Sequence, residues 1–239
     1  TEITLRIEPG EEEAKLQEAM RLQALERLAQ NREAPPGARR FSILAELMRL
    51  RRGACHPQLY APELQTSSAK LDQLVELLLE LRDNHHRALV FSQFVDYLSL
   101  VRARLQANGL SYQYLDGSTP SKQREGIVAA FQRGEGDCFL LSLKAGGSGL
   151  NLTAADYVIH LDPWWNPAVE QQASDRAHRI GQIRPVTVYR LVLADSIEER
   201  ILALHGAKRE LMDSVLAESD GGGALSEEDL LALIVSGQG

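Results

Sequence analysis

The feature that most limits how this chain can fold is a change of rhythm near residue 88. From there to residue 193, short apolar runs alternate with longer segments of helical spacing. Residues 88–91 (ALVF), 111–115 (SYQYL), 138–141 (CFLL), 157–161 (YVIHL) and 186–193 (VTVYRLVL) read as strands. Helices are predicted over 94–107, from Thr119-Pro120 to near Gly134, and after Pro167, with Thr119 as N-cap and Pro120 as first helical residue. Strands spaced this way pair in parallel, because a parallel neighbour needs a crossover connection, and the crossover helices cover both faces. Right-handed crossovers then give an α/β fold with an open, doubly wound, mostly parallel sheet. Such sheets bind ligands beyond the carboxyl ends of their strands. The turns at those ends are polar or glycine-rich: Ser92-Gln93, residues 116–119 (DGST), 142–149 (SLKAGGSG) and 162–166 (DPWWN).

The flanks follow a different pattern. Residues 11–31 carry Leu16, Met20, Leu22, Leu25 and Leu28 at roughly helical spacing, and Pro35-Pro36-Gly37 interrupts them. A second helix holds Ile43, Leu44, Leu47, Met48 and Leu50, and a third starts after Ser68, a good N-cap. Beyond the last strand, a helix from Ile197 to about residue 216 precedes a short flexible linker at 219–223. Ser226, Glu227, Glu228 and Asp229 then open a small terminal helix, with acids placed to suit the helix dipole. With 239 residues and 44% hydrophobic side chains, the chain can build one large core or one core with an appendage.

Residues 172–182 hold the densest chemistry. Arg176 and Arg179 stand three apart, so on a helix both would face one ligand. Guanidinium stays charged at any working pH and presents a planar fork that fits phosphate oxygens. Gln172, Asp175, His178 and Gln182 are interleaved with them, a polar spelling that no amphipathic pattern requires. The alternative is a solvated charged helix. The glycine-rich loop at 142–149 would let backbone N–H groups approach an anion, or be a plain turn. Ser92 and Gln93 stand at a helix start, where N–H groups favour phosphate, or form an ordinary N-cap. Asp116-Gly117 could be a tight turn alone, and Arg124 could bond within the domain. Adjacent Trp164 and Trp165 cannot both point inward from an extended segment, so one is expected in the core and the other outward.

The spelling QxxDRxHRxGQ, from Gln172 through Asp175, Arg176, His178, Arg179 and Gly181 to Gln182, resembles the sixth helicase motif of Swi/Snf-family ATPases. These are double-stranded DNA translocases of helicase superfamily two. The resemblance extends over nearly the whole chain. Val90-Phe91-Ser92-Gln93 resembles the fourth motif, LDGST at 115–119 with Arg124 the next, and SLKAGGSGLNL at 142–152 the fifth. It implies a RecA-like lobe in which Arg176 and Arg179 act as fingers on the γ-phosphate of ATP, with Gln172, Asp175, Gln182, Gly149, Asn151 and Trp165 at the ATP site or in its coupling. Ser92, Gln93, Gly117, Ser118, Ser142, Lys144, Gly146 and Gly147 are then the expected DNA-backbone contacts. Residues 1–67 would be an interlobe segment and helical protrusion, 68–218 the C-terminal lobe with its brace helix, and 219–239 a linker and short helix.

No GxxxxGK[ST] loop and no DExH or DExD box occurs in the sequence, so the lysine cradle for phosphates and the acidic magnesium ligand are expected on another, N-terminal lobe. ATP with magnesium is the expected cofactor, held mainly there, and hydrolysis by this segment alone is not expected. The net charge of -7 argues against coating nucleic acid by bulk charge, although Arg176, Arg179, Arg184 and Arg190 against Asp175 alone would allow a local basic face. Cys55 and Cys138 form no disulfide framework, and Cys55-His56 has no second pair at ligand spacing, so no metal site is expected. No apolar run nears the roughly 20 residues of a membrane span. A bacterial cytoplasmic protein is the expectation, or a nuclear one in a eukaryote. Two rivals stay open: an RNA helicase lobe of the same fold, and a binding module that kept the fold and lost the motor.

Overall fold

The computed structural model describes residues 1–146, 150–177, 184–215 and 225–236. Its elements run β1 (Glu2–Ile7), α1 (Glu11–Gln30), α2 (Pro36–Cys55), a 3-10 turn (Pro57–Leu59), α3 (Ala69–Asp83), β2 (Ala88–Ser92), α4 (Val95–Ala107), β3 (Tyr112–Leu115), α5 (Ser121–Gln132), β4 (Cys138–Ser142), α6 (Leu143–Gly146), β5 (Tyr157–His160), α7 (Pro167–Ser174), β6 (Thr187–Leu193), α8 (Ile197–Val215) and α9 (Glu227–Val235). The six strands form one sheet in the order β1-β6-β5-β2-β4-β3. β2 pairs parallel with β4 and β5, β3 with β4, and β5 with β6. This is the α/β parallel-sheet architecture that the alternation of strands and helices predicts, and it agrees with the RecA-like lobe that the resemblance implies.

The strand order fixes which face each helix covers. The steps β1 to β2 and β2 to β3 move one way along the sheet, and the three later steps move the other way. Right-handed crossovers therefore put α3 and α4 on one face and α5, α6 and α7 on the opposite one. The core agrees: Leu89, Phe91, Phe139, Leu141, Val158 and Val188 of the strands pack with Phe131, Leu143 and Ala173 of α5, α6 and α7. β2 thus lies between β4 and β5, whose outgoing chains leave to the other face. A topological switch therefore falls on both sides of its carboxyl end, the place where open α/β sheets bind ligands.

One device aligns three of these helices with the strands that follow. After α4, Gly109 N–H bonds Gln106 C=O at 3.2 Å and Leu110 N–H bonds Leu105 C=O at 3.0 Å; after α5, Gly134 and Glu135 repeat the pattern on Phe131 and Ala130 at 3.0 Å each. Both glycines have positive φ, +66° and +101°, as this Schellman ending requires. After α3 the same bonds form from His85 and His86, and His85 adopts φ 59° without being glycine.

Several expectations shift. Residues 2–7, read only as part of an interlobe segment, form the edge strand β1; Ile3, Leu5 and Ile7 alternate with exposed Glu2, Thr4 and Arg6. α5 begins at Ser121 with Pro120 as its N-cap, one residue later than predicted, because Thr119 Oγ1 instead accepts the Asp116 N–H. The chain divides into two compact units, Thr1–Ile7 with Ser68–Val192, and Glu8–Ser67 with Leu193–Gly239. That division shares the cut at 67/68 with the expected organisation, adds cuts at 7/8 and 192/193, and has none at 218/219. The first unit holds the sheet. The second is helical, with Met20, Ala24, Ile43, Leu47, Leu50, Leu230 and Ile234 buried. Ser226 and Asp229 form a reciprocal capping box on α9. In the same unit Cys55 Sγ lies 3.7 Å from Glu198 and His56 Nδ1 accepts the Gln58 N–H, so both side chains are engaged in local structure.

Candidate functional site

The carboxyl ends of β5, β2, β4 and β3 lie side by side, with Ser92 in register with Ser142, Phe91 with His160, and Leu115 with Leu141. At the centre, Ser92 Oγ donates to Asp162 at 2.5 Å and the Gln93 N–H donates to the same carboxylate at 3.3 Å. Ser92 Oγ also accepts the Phe94 N–H. Ser92 is buried, and the Gln93 N–H, expected to be open at a helix start, is already bonded. Asp162 thus ties the β5 turn to β2, and Gln93 Nε2 is buried without a hydrogen-bond partner.

The 116–119 loop is held by its own side chains. Asp116 accepts the Ser118 N–H at 2.8 Å, the Ser118 hydroxyl at 2.6 Å and the Tyr114 hydroxyl at 2.6 Å. These bonds, Ser118 first, keep its carboxyl below the ordinary range. Tyr114 is pushed up to about 12, by burial and then by Asp116. Arg124 donates to Thr119 C=O at 2.9 Å and Asp116 C=O at 3.2 Å, so it bonds within the domain. Gly117 and Ser118 remain exposed at the tip of this fixed loop.

After β4, buried Ser142 accepts the Ala145 N–H, while Lys144 is exposed on α6, Gly146 closes it and Asn151 is exposed just beyond. Gly147 and Gly149 lie outside the described residues. The Leu152 N–H then donates to Arg176 C=O at 3.1 Å, joining this loop to the arginine turn. α7 ends at Ser174 with Asp175 as its C-cap, so Arg176 does not continue a helix. Arg176 and Ala177 instead make three-residue bonds to Ala173 and Ser174, which tighten the last turn. Arg176 therefore lies beyond the helix on which a face shared with Arg179 was expected. Gln172 and Asp175 are exposed, Arg176 is 5% exposed, and Arg179 and Gln182 lie outside the described residues.

The tryptophan turn is wired differently. Trp164 packs against the sheet core and Trp165 is half-buried. The Trp164 N–H donates to Glu170 Oε1 at 2.9 Å; Glu170, 1% exposed on α7, takes Arg190 Nε on its other oxygen at 2.8 Å. Arg190 Nη1 reaches Glu2 on β1 at 3.0 Å. Burial works against the charge on Arg190, but its bonds to Glu170 and Glu2 outweigh this and raise its pKa. At the far end of α7, His160 Nε2 is 3.0 Å from Ser174 Oγ, and its ring stacks on Phe91. Burial drives the His160 pKa down to about 4. Of the four arginines that would allow a basic face, Arg190 is paired with Glu170, Arg176 is buried and Arg184 bonds buried Asp156 at 3.1 Å, while Arg179 lies outside the described residues. Asp156 also holds His86, and against the effect of burial these bonds keep its carboxyl below the usual range.

Sequence reasoning missed Glu170, His160, Asp156 and the partners of Arg190. Only Glu170 carried a signal, an acid in the first turn of a helix that must be covered. Among the described residues no three His, Cys, Asp or Glu side chains converge as a metal site.

Comparison with known proteins gives a consistent answer. A family model described as "Helicase conserved C-terminal domain" matches residues 69–181. The chain is 37% identical over 235 residues to an uncharacterized ATP-dependent helicase of Mycoplasma pneumoniae, covering 98% of this chain and 22% of that protein. It thus spans about a fifth of the length of such relatives. The fold is similar to the SWI2/SNF2 ATPase C-terminal domain of Sulfolobus solfataricus at 30% identity and TM-score 0.76, over 98% of this chain and 97% of that one. It is also similar to the SWI2/SNF2 ATPase core of the same organism in complex with double-stranded DNA, at 28% identity and TM-score 0.75, over 98% of this chain and 48% of that one.

Proposed function

Because the chain belongs to the Swi/Snf family of ATP-dependent helicases, as their C-terminal RecA-like lobe, we propose that it is half of a motor that moves along double-stranded DNA. The observation that carries this reading is the gathering of the motif-bearing turns at one carboxyl edge, around the switch points beside β2. The relative solved with double-stranded DNA supports the choice of substrate. A first lobe, on the same protein, holds most of the ATP and its magnesium.

In this reading Arg176 and Arg179 hold the γ-phosphate edge when the lobes meet. ATP supplies a phosphoryl group whose transfer to water spreads charge over oxygens that guanidinium forks can meet, an effect worth roughly a thousandfold or more in rate. The Arg176 C=O accepts the Leu152 N–H, which ties the start of the arginine turn to the chain that follows β4. Gln172, Asp175, Gln182, Gly149 and Asn151 act at the ATP site or in its coupling, and Trp165 links the turn to closure. Gly117, Ser118, Lys144, Gly146 and Gly147 contact DNA phosphates; buried Ser92 and Ser142, with Gln93, shape the strand ends behind them. Such contacts position without reading sequence, so binding weakens with salt. The lobe alone is expected not to hydrolyse ATP.

The test is ATP hydrolysis by the full-length protein with duplex DNA, single-stranded DNA, RNA or no nucleic acid, beside Arg179→Ala. Strong stimulation by duplex DNA that the variant loses is the expected result. Preference for RNA would assign the RNA helicase reading. Activity that ignores nucleic acid or survives the substitution would overturn the motor.

A further inference from the structure

Glu170 is a carboxylate buried to 1% exposure, on a helix that needs only an apolar face to pack. Its two oxygens do two different jobs. One accepts the backbone N–H of Trp164, which fixes the tryptophan turn, and the other takes Arg190 Nε of β6. Arg190 uses a different nitrogen to reach Glu2 on β1. The side chains therefore form an unbroken path from the sheet edge, through β6, to the turn that carries both tryptophans and to the first turn of α7. A buried ion pair adds little net stability over apolar packing, yet losing one partner is severe, so such a pair is well suited to fixing a single geometry. In the proposed motor the first lobe lies N-terminal to this one, so its pull would arrive through β1.

We propose that Glu170 and Arg190 are positioning residues of the motor, relaying the placement of β1 to the tryptophan turn and α7 so that ATP use is coupled to movement. The relay rests on the motor reading above. Its three members have unlike exposure: the Glu2 side chain is 53% exposed, that of Arg190 18% and that of Glu170 2%. Glu2 can thus be changed without disturbing the core.

The experiment compares full-length wild type with Glu2→Gln, Arg190→Lys and Glu170→Gln. It reads duplex-stimulated ATP hydrolysis, displacement of a third strand from a DNA triplex as a measure of translocation, and the KM for ATP. Lysine has one nitrogen and cannot span both carboxylates as the arginine fork does. The amide oxygen introduced by Glu170→Gln would still accept the Trp164 N–H, while the charge pairing is lost. The expected result is a fall of roughly fivefold or more in translocation per ATP hydrolysed for Arg190→Lys and Glu170→Gln. Glu2→Gln should shift it in the same direction, with KM for ATP unchanged in all three. A Glu2→Gln protein with the wild-type ratio would overturn the relay to β1, and because this variant folds regardless, that outcome is always readable. Hydrolysis and translocation falling in parallel, with a wild-type ratio in every variant, would overturn it too and assign the network to stability alone. A wild type that duplex DNA does not stimulate would instead sink the motor reading, independently of how the variants compare.

Discussion

Two turns at the same edge of the sheet are held in opposite ways. The 116–119 loop is closed by near neighbours: Tyr114, Ser118 and Arg124 all bond within eight residues of their partners. The tryptophan turn is held through Glu170, six residues away, then Arg190, twenty further, then Glu2, separated from Arg190 by 188 positions. A loop closed locally keeps its shape whatever its neighbours do, which suits a fixed contact to a repeating backbone. A turn held from distant elements takes its shape from them, which suits a part that must respond to closure. The division of labour is therefore written in the range of the hydrogen bonds.

The largest expected effect breaks the long-range side of that contrast. Glu170→Ala leaves Arg190 half-buried beside an empty position and should cost about 3–5 kcal/mol. Denaturant midpoints of the 239-residue chain would read this. Trp164 and Trp165 are its only tryptophans, so their emission should shift in the same variant while the fold survives. A loss below about 1 kcal/mol would mean that the carboxylate is not doing the holding.

A second effect of similar reach concerns pH. His160 is buried at the far end of α7, and its pKa falls from 6.5 to about 4. The folded pKa lies below the unfolded one, so the stabilising contribution is complete above about pH 6.5. It is lost as pH falls from there toward about 4, because the unfolded chain binds the proton first. The loss should reach on the order of 3 kcal/mol. His160→Asn should flatten the stability profile between about pH 6.5 and 4 and leave the steeper carboxylate region below it in place. An unchanged slope in that window would show that another group titrates there.

The locally closed loop should respond less. Asp116→Asn keeps the shape but removes the charge that three donors share, at a cost of about 1–2 kcal/mol. Combined with Glu170→Ala, the two losses should add within about 0.5 kcal/mol, since the groups share no partner. Marked non-additivity would join the two turns that the bonding pattern separates. The Asp116 carboxyl is held below its ordinary value, so its contribution is present above about pH 4 and lost as pH falls further.

The same distinction explains what could be read in the sequence. Strand cores such as Ala88–Ser92 and Cys138–Ser142 announce themselves by composition, and helix ends such as Gly109 and Gly134 by a residue that tolerates positive φ. The Asp116-Gly117 turn was equally plain because its bonds are local. Glu170, Arg190 and Glu2 were not, since each looks like an ordinary surface charge until β1 and β6 sit at one end of the sheet. β1 itself was hidden behind its position ahead of two long helices, although Ile3, Leu5 and Ile7 alternate as a half-buried edge strand should. The helical reading fails at Arg176 for a related reason. Leu152 claims the Arg176 C=O, a partner that no local pattern reveals.

The smallest effect sharpens the contrast from the local side. α3 closes with the same Schellman bonds as α4 and α5, yet it places His85 at φ 59° where they use glycine. An L-residue in that region is strained by about 1–2 kcal/mol. Glycine removes the strain but loses more backbone freedom on folding, by about 0.5–1 kcal/mol. His85→Gly should therefore gain on the order of 0.5 kcal/mol in a denaturation midpoint, the net of these two effects. Its partner should be Gly134→Ala, which places a Cβ at φ +101° and should destabilise by about 1 kcal/mol or more. If both substitutions move stability in the same direction, the three endings are not equivalent, and the His85 backbone is held by something beyond its own helix. The candidate is Arg184, whose Nη1 lies 3.4 Å from the His85 C=O while it bonds Asp156. An ending that looks local would then belong with the long-range set.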